Sequence, residues 1–285
     1  MFPCTMTKDP AAVEREARGA FLAVFPDADS SVVPRAFAWT LESFAGHYGD
    51  YQPIDARYHD LEHTLQATLC MARLLQARHA AGAQPTLTPR LFELGLLAIL
   101  LHDTGYLKKR GDTEGTGAKY TVVHVDRSAD FAAQLLADKG FGATEIQAVR
   151  NMIHCTGVNA RPSLIAFQSP AEKMLGCALG TADLLGQMAA DDYIEKLPAL
   201  FDEFAEAARF TNDQSEFVAN FTSAQDLLRK TPLFWDQFVL PKLASDFGGL
   251  YRFLNDPYPA GPNEYLLRIQ ANILRLKAQL AAQTP

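Results

Sequence analysis

A chain of 285 residues with 48% hydrophobic and 21% charged side chains can bury a large core, which excludes global disorder. Its formal net charge of -7 and sequence pI near 5.5 argue against a partner in long nucleic acid gripped through phosphates. The longest apolar stretch, around Leu94 to Leu101, is far short of a membrane span.

Helical periodicity runs through nearly the whole chain. Two amphipathic helices are predicted over about Pro10 to Phe25 and Ser31 to Tyr48. The loop GDYQPIDARYHD leads into a helix from Asp60 to about His79, where Leu61, Leu65, Leu69, Ala72 and Leu75 recur at helical spacing. The next helix starts near Thr88, with Pro89 at its first position, and ends at HDTG, where Gly105 permits a sharp turn. The polar, glycine-rich segment KKRGDTEGTGAKYTV reads as a mobile loop beside the motif. Its Lys108, Lys109, Arg110 and Lys119 read as solvated or, alternatively, as a lid that attracts phosphate.

A helix follows from about His124 to Lys139, stopped by Gly140. The helix after Gly142 carries His154 near its end, and the one begun by Pro170 carries Asp183 within TADLLG. Further helices are expected over about Asp191 to Phe210, Asp213 to Lys230, Pro232 to Phe247 and Asn263 to Ala282. No strand alternation exceeds a few residues, so the expected class is all-α. The division is residues 1–54 packing on the core, a metal-binding core over 55–210, and a helical extension over 211–285 within the same domain. Cys4, Cys70, Cys155 and Cys177 form no CxxC pair, and MFPCTMTKDPAAVERE lacks a signal-peptide pattern, so a reduced, cytoplasmic setting is expected.

Five of the seven histidines, His59, His63, His102, His124 and His154, fall in order with Asp103 and Asp183. Neutral imidazole and ionised carboxylate are the ligand set of a divalent cation. His59 and His63 are four residues apart in YHDLEH, which puts both rings on one face of a helix. His102 and Asp103 end the apolar run LFELGLLAILLHDTG, where a rigid support holds ligands in place. The remaining ligands are each about one helix plus one connection apart, so they can converge in a helical bundle. In this reading His63, His102, Asp103 and Asp183 hold one ion. Asp103 bridges to a second, held by His124 and His154. Two divalent cations, of Mn, Fe, Mg, Zn, Ni or Co, would lower the pKa of a bound water towards ~7 and clamp a displacement at phosphorus. His47 and His79 read as surface or packing residues, and Cys155 as core.

The pattern H…HD…D, with YHDLEH before it and TADLLG after it, resembles the HD superfamily of metal-dependent phosphohydrolases over roughly residues 55 to 190. YHDLEH and TADLLG are most similar to the matching segments of eukaryotic cyclic-nucleotide phosphodiesterases. That resemblance implies that His59 protonates the leaving oxygen and that His63, His102, Asp103 and Asp183 are metal ligands. His124 and His154 resemble the extra ligands of the two-metal branches, namely HD-GYP cyclic-dinucleotide phosphodiesterases and diiron oxygenases related to myo-inositol oxygenase. Two positions depart from the pattern. Tyr106 stands where many relatives carry a lysine or histidine that touches substrate phosphate, with Lys108 and Lys109 just beyond. Leu107, not proline, follows Gly105-Tyr106.

The expected activity is therefore metal-dependent hydrolysis of a nucleotide or other small phosphoester, with His59 and Asp103 catalytic. Tyr106, Lys108 and Arg127 are the candidates for substrate contact. The alternatives are an HD-type diiron oxygenase and a nucleotide-binding regulatory domain. No membrane partner is expected, and the C-terminal helices are open to two uses, dimerisation or covering the pocket.

Overall fold

The computed structural model describes residues 6–211 and 221–282. Cys4 and the first residues of the helix expected over 213–230 lie outside the described residues. The fold is all-α: among the described residues there is no β-strand, only isolated bridges at Tyr51–Lys109 and Asn255–Asn263.

The helix starts follow the sequence's capping signals. α1 (Pro10–Val24) begins behind Asp9, whose carboxylate accepts the Ala11 N–H. α2 (Val32–Phe44) stops before the expected Tyr48, because Gly46 takes a φ of 71° and closes a Schellman cap, with the His47 N–H on the Glu42 carbonyl at 2.8 Å. α3 (Leu61–Ala80) starts at Asp60 and α4 (Pro89–Leu101) at Thr88 and Pro89. α5 (His124–Asp138), α6 (Ala143–Ile153), α7 (Pro170–Met188) and α8 (Tyr193–Phe210) fall where the periodicity puts them.

The C-terminal helices depart from expectation. No break separates Lys230 from Pro232. α9 (Ala224–Phe234) runs through the proline, and a π-helical turn over Trp235–Val239 joins it to the short α10 (Leu240–Ala244). Proline removes one backbone donor, and a π turn is one way a continuous helix absorbs that defect. α11 (Glu264–Ala282) packs along α7 and α9.

α4 is the buried centre, with α2, α3, α5, α6 and α7 against it; every residue from Phe92 to Leu101 is buried. α3 and α7 form the closest pair. A Cβ at Gly186 would lie 2.8 Å from the backbone of Gln66 and Ala67, so only glycine allows this crossing. The contact lies one turn beyond His63 on α3 and one turn beyond Asp183 on α7. Close packing of the two helices therefore brings those side chains together. No described helix is long and apolar enough to cross a membrane.

Candidate metal centre

α4 delivers His102 and Asp103 as its last turn ends. Asp60 caps α3 by accepting the His63 N–H at 2.9 Å, and Lys196 holds Asp60 at 3.4 Å. These supports aim His63 from α3 and Asp183 from α7 at the end of α4. His63 Nε2 lies 3.1 Å from Asp103 Oδ2 and 3.2 Å from Asp183 Oδ1, and His102 Nε2 lies 3.3 and 3.6 Å from the same two oxygens. His63, His102 and Asp103 are at most 3% exposed, and Asp183 is 13% exposed.

Charge-assisted hydrogen bonds between such groups run to about 2.7–2.9 Å. Neighbouring ligands each about 2.1 Å from a shared cation stand roughly 3.0 Å apart in an octahedron and roughly 3.4 Å apart in a tetrahedron. Three of the four spacings fall within 3.0–3.4 Å, and the fourth, at 3.6 Å, lies just beyond it. The hydrogen-bond inventory points the same way. His102 Nδ1 faces the Ile99 carbonyl at 2.7 Å, which can only accept, so the Nδ1 proton is committed there. His102 Nε2 and Asp103 Oδ2 are buried with no hydrogen-bond partner in the chain. Two buried acceptors turned towards each other need a proton or a cation between them. The His63–His102–Asp103 group is able to hold a metal ion.

The electrostatics of the protein without a cation are those of a proton-filled site. Burial alone would lower the pKa of His63, but the Asp103 and Asp183 carboxylates beside it outweigh that and raise it to about 10. His102 is raised as well, its burial offset chiefly by the Asp103 charge. Burial would push both aspartates up, yet the two imidazoles hold them well below the usual carboxylate range. A cation entering this group would displace protons from the histidines.

The other sequence candidates separate into two sets. His59, Tyr106, His124 and His154 line the same cavity of about 380 Å³ as His63, Asp103 and Asp183. Tyr106 is fully buried between two rings, stacked on His59 at 4.4 Å and on His124 at 4.8 Å, and its hydroxyl has no hydrogen-bond partner in the chain. His124 donates its Nδ1–H to the Thr121 carbonyl at 2.6 Å, and burial lowers its pKa, so it is a neutral imidazole with Nε2 available. His154 places Nδ1 on the Arg150 carbonyl at 2.8 Å and Nε2 against Asp126 at 3.1 Å. Neither His124 nor His154 joins the compact group around His63.

Lys108 and Arg127, read from the sequence as candidates for substrate contact, are not among the residues that line the cavity. Lys108 is buried against Asp55 at 2.7 Å and the Gly115 carbonyl at 2.7 Å. Arg127 spends its guanidinium on the carbonyls of Gly105 and Leu107, both at 2.7 Å, and stacks on Tyr120. The segment expected as a mobile loop is densely tied. Asp112 binds Lys119 and Tyr120, Glu206 accepts from Thr116, and Gly117 donates to Asp55. Lys108 and Lys119 neutralise Asp55 and Asp112, whereas Lys109 and Arg110 are exposed, Lys109 over the Tyr51 ring and Arg110 donating to the Gly46 carbonyl. His47 and His79 are exposed, as expected, and Cys155 is buried with its thiol pushed up by burial.

Two supports escaped the sequence reading. Glu203 on α8, 4% exposed, accepts from His59 Nδ1 at 2.6 Å and from the Tyr58 N–H at 2.7 Å. Its carboxyl is desolvated, yet the His59 ring and these hydrogen bonds hold its pKa down. Gln187 accepts from the Tyr58 hydroxyl at 2.8 Å and donates to Asp183 Oδ1 at 3.3 Å, steadying that carboxylate. A signal for Glu203 was present: Leu200, Glu203 and Ala207 share one stripe of α8, so an acid sits on a buried face. Nothing in the sequence marked Gln187.

The residues of the centre all fall within one family match. Residues 37–252 match the family model described as Npun_R2479-like. No curated protein matches the chain.

Proposed function

The chain belongs to the Npun_R2479-like family, and we propose that it is a metal-dependent phosphohydrolase of the HD type, acting on a nucleotide or other small phosphoester. One observation carries the reading. Four ligand atoms from α3, the end of α4 and α7 converge at 3.1–3.6 Å with two of them left without hydrogen-bond partners, beside a buried His59–Glu203 pair.

His63, His102, Asp103 and Asp183 would hold the first cation. His124, with Nε2 available, and His154, once its Nε2 leaves Asp126, would be ligands for a second. A divalent cation in such a site polarises phosphoryl oxygens and lowers the pKa of water towards neutrality. The chain's own groups supply the rest. Glu203 accepts the Nδ1 proton of His59 and fixes the ring, leaving Nε2 to protonate the leaving oxygen. The Tyr106 hydroxyl, buried without a partner, is a donor for a substrate oxygen.

The test is hydrolysis of bis(p-nitrophenyl) phosphate and a panel of nucleotides after loading with Mn²⁺, Fe²⁺ or Co²⁺. Turnover that is lost in His63→Ala supports the reading. A cation-loaded protein inert towards the whole panel refutes it. The second reading, a diiron oxygenase, is favoured by Tyr106 standing where a phosphate-contacting cation would be expected. Bound iron with substrate-dependent O₂ consumption would select it.

A further inference from the structure

We infer that the cavity takes a substrate built from one anionic head and an apolar body, and that a nucleoside polyphosphate does not fit it. This deepens the reading above and rests on it for the cation that holds the head. Much of the lining is apolar: Leu184 of α7, Leu197, Leu200 and Phe204 of α8, and Leu227 and Phe234 of α9. These side chains come from both the core and the C-terminal helices, so the extension completes the pocket.

The charge pattern decides between ligand classes. Among the described lining residues, Lys230 is the sole lysine or arginine, and it is engaged with Asp226 at 2.8 Å. Asp103 and Asp183 line the same cavity. The nearby cations are committed elsewhere: Lys108 to Asp55, Lys119 to Asp112, Arg127 to two carbonyls. Polyphosphates are held by several cationic or N–H donors at once, and this wall offers apolar carbon instead. A volume of about 380 Å³ is near the small end for pockets that enclose a drug-sized ligand. An apolar chain entering it leaves water for hydrocarbon, which strengthens binding about fourfold per methylene.

The experiment is calorimetric titration of the Mn²⁺-loaded full chain with n-alkylphosphonates from methyl to octyl, and separately with ATP. The expected result is a Kd that falls about fourfold per methylene until the cavity is filled, with ATP weaker than octylphosphonate. In Leu200→Asn, octylphosphonate should lose about tenfold more affinity than methylphosphonate does. A flat series, or ATP binding more tightly than octylphosphonate, overturns the inference. The two readings fail separately. Phosphoester turnover with a flat series removes this inference and leaves the hydrolase, whereas a rising series without turnover leaves the apolar pocket and removes the hydrolase.

Discussion

Replacing Glu203 by Gln removes a buried charge while keeping the side chain's size. In the native protein the carboxylate accepts from His59 Nδ1 at 2.6 Å and from the Tyr58 N–H at 2.7 Å. The amide oxygen of Gln can keep the bond to Tyr58, but its NH₂ then faces a ring nitrogen that also carries a proton. His59 must give up that proton or turn. A charge-assisted hydrogen bond contributes about 1.5–3 kcal/mol, so a loss of roughly 2 kcal/mol is expected. With about 2.1 cal/mol/K of unfolding entropy per residue, 285 residues give roughly 0.6 kcal/mol/K, so Tm should fall by about 3 °C. The rate should fall far more, by about 10²-fold or greater, because a general acid contributes about 10²–10⁴-fold. The pH–rate profile should change, because an amide cannot replace the carboxylate as acceptor of the His59 Nδ1 proton. Metal content should stay at the wild-type value, because Glu203 is not among the ligands. The assays are calorimetry, elemental analysis and a pH profile with bis(p-nitrophenyl) phosphate. A Glu203→Gln protein with the wild-type rate and pH profile would refute the role given to this pair.

Three further outcomes follow from the same geometry. In Gly105→Ala the new Cβ would lie 2.0 Å from the His124 carbonyl oxygen, so the α4–α5 contact must open; a loss of about 3 kcal/mol or more is expected, read as a Tm drop of about 5 °C. Adding a divalent cation at about 100 times its Kd should stabilise the wild type by about 2.7 kcal/mol, or about 4–5 °C, and should leave the Tm of Asp103→Asn unmoved. An equal shift in both proteins would place the cation elsewhere. In chelated protein, His63 has a folded pKa of about 10, above its unfolded value near 6.5. The stability from that proton is complete below about pH 6.5 and is lost as pH rises towards 10. The cation competes with the same proton, so the Tm gap between loaded and chelated protein should widen from pH 6.5 to 9.

The helices and the residues of the candidate centre were legible because they obey local rules. Thr88 with Pro89, Ser169 with Pro170, and Gly140 each mark a boundary through backbone chemistry that acts within a few residues. His63, His102, Asp103 and Asp183 stood out because metal ligation needs those residue types. What the sequence did not reveal depends on contacts between distant segments. Gly105 reads as a turn residue, yet its requirement is close approach to the start of α5. Lys108 and Arg127 look exposed and available. In the fold, Asp55 and two carbonyls 20 and 22 residues away along the chain from Arg127 claim them. Glu203 is one of several acids on α8, and only tertiary packing selects it as the partner of His59. The helix through Pro232 escaped because a sequence rule treats proline as a stop, whereas this helix runs through it into a π-helical turn.

Metal stoichiometry of the purified, unchelated protein, measured by elemental analysis beside His102→Ala, bears most directly on the account. It predicts at least one divalent cation per wild-type chain, and loss of that cation in the variant. A wild type that carries none, and takes up none after incubation with Mn²⁺, Fe²⁺, Co²⁺ or Zn²⁺, would mean that the buried histidines and aspartates are a protonated ion-pair cluster and that the centre described above does not exist.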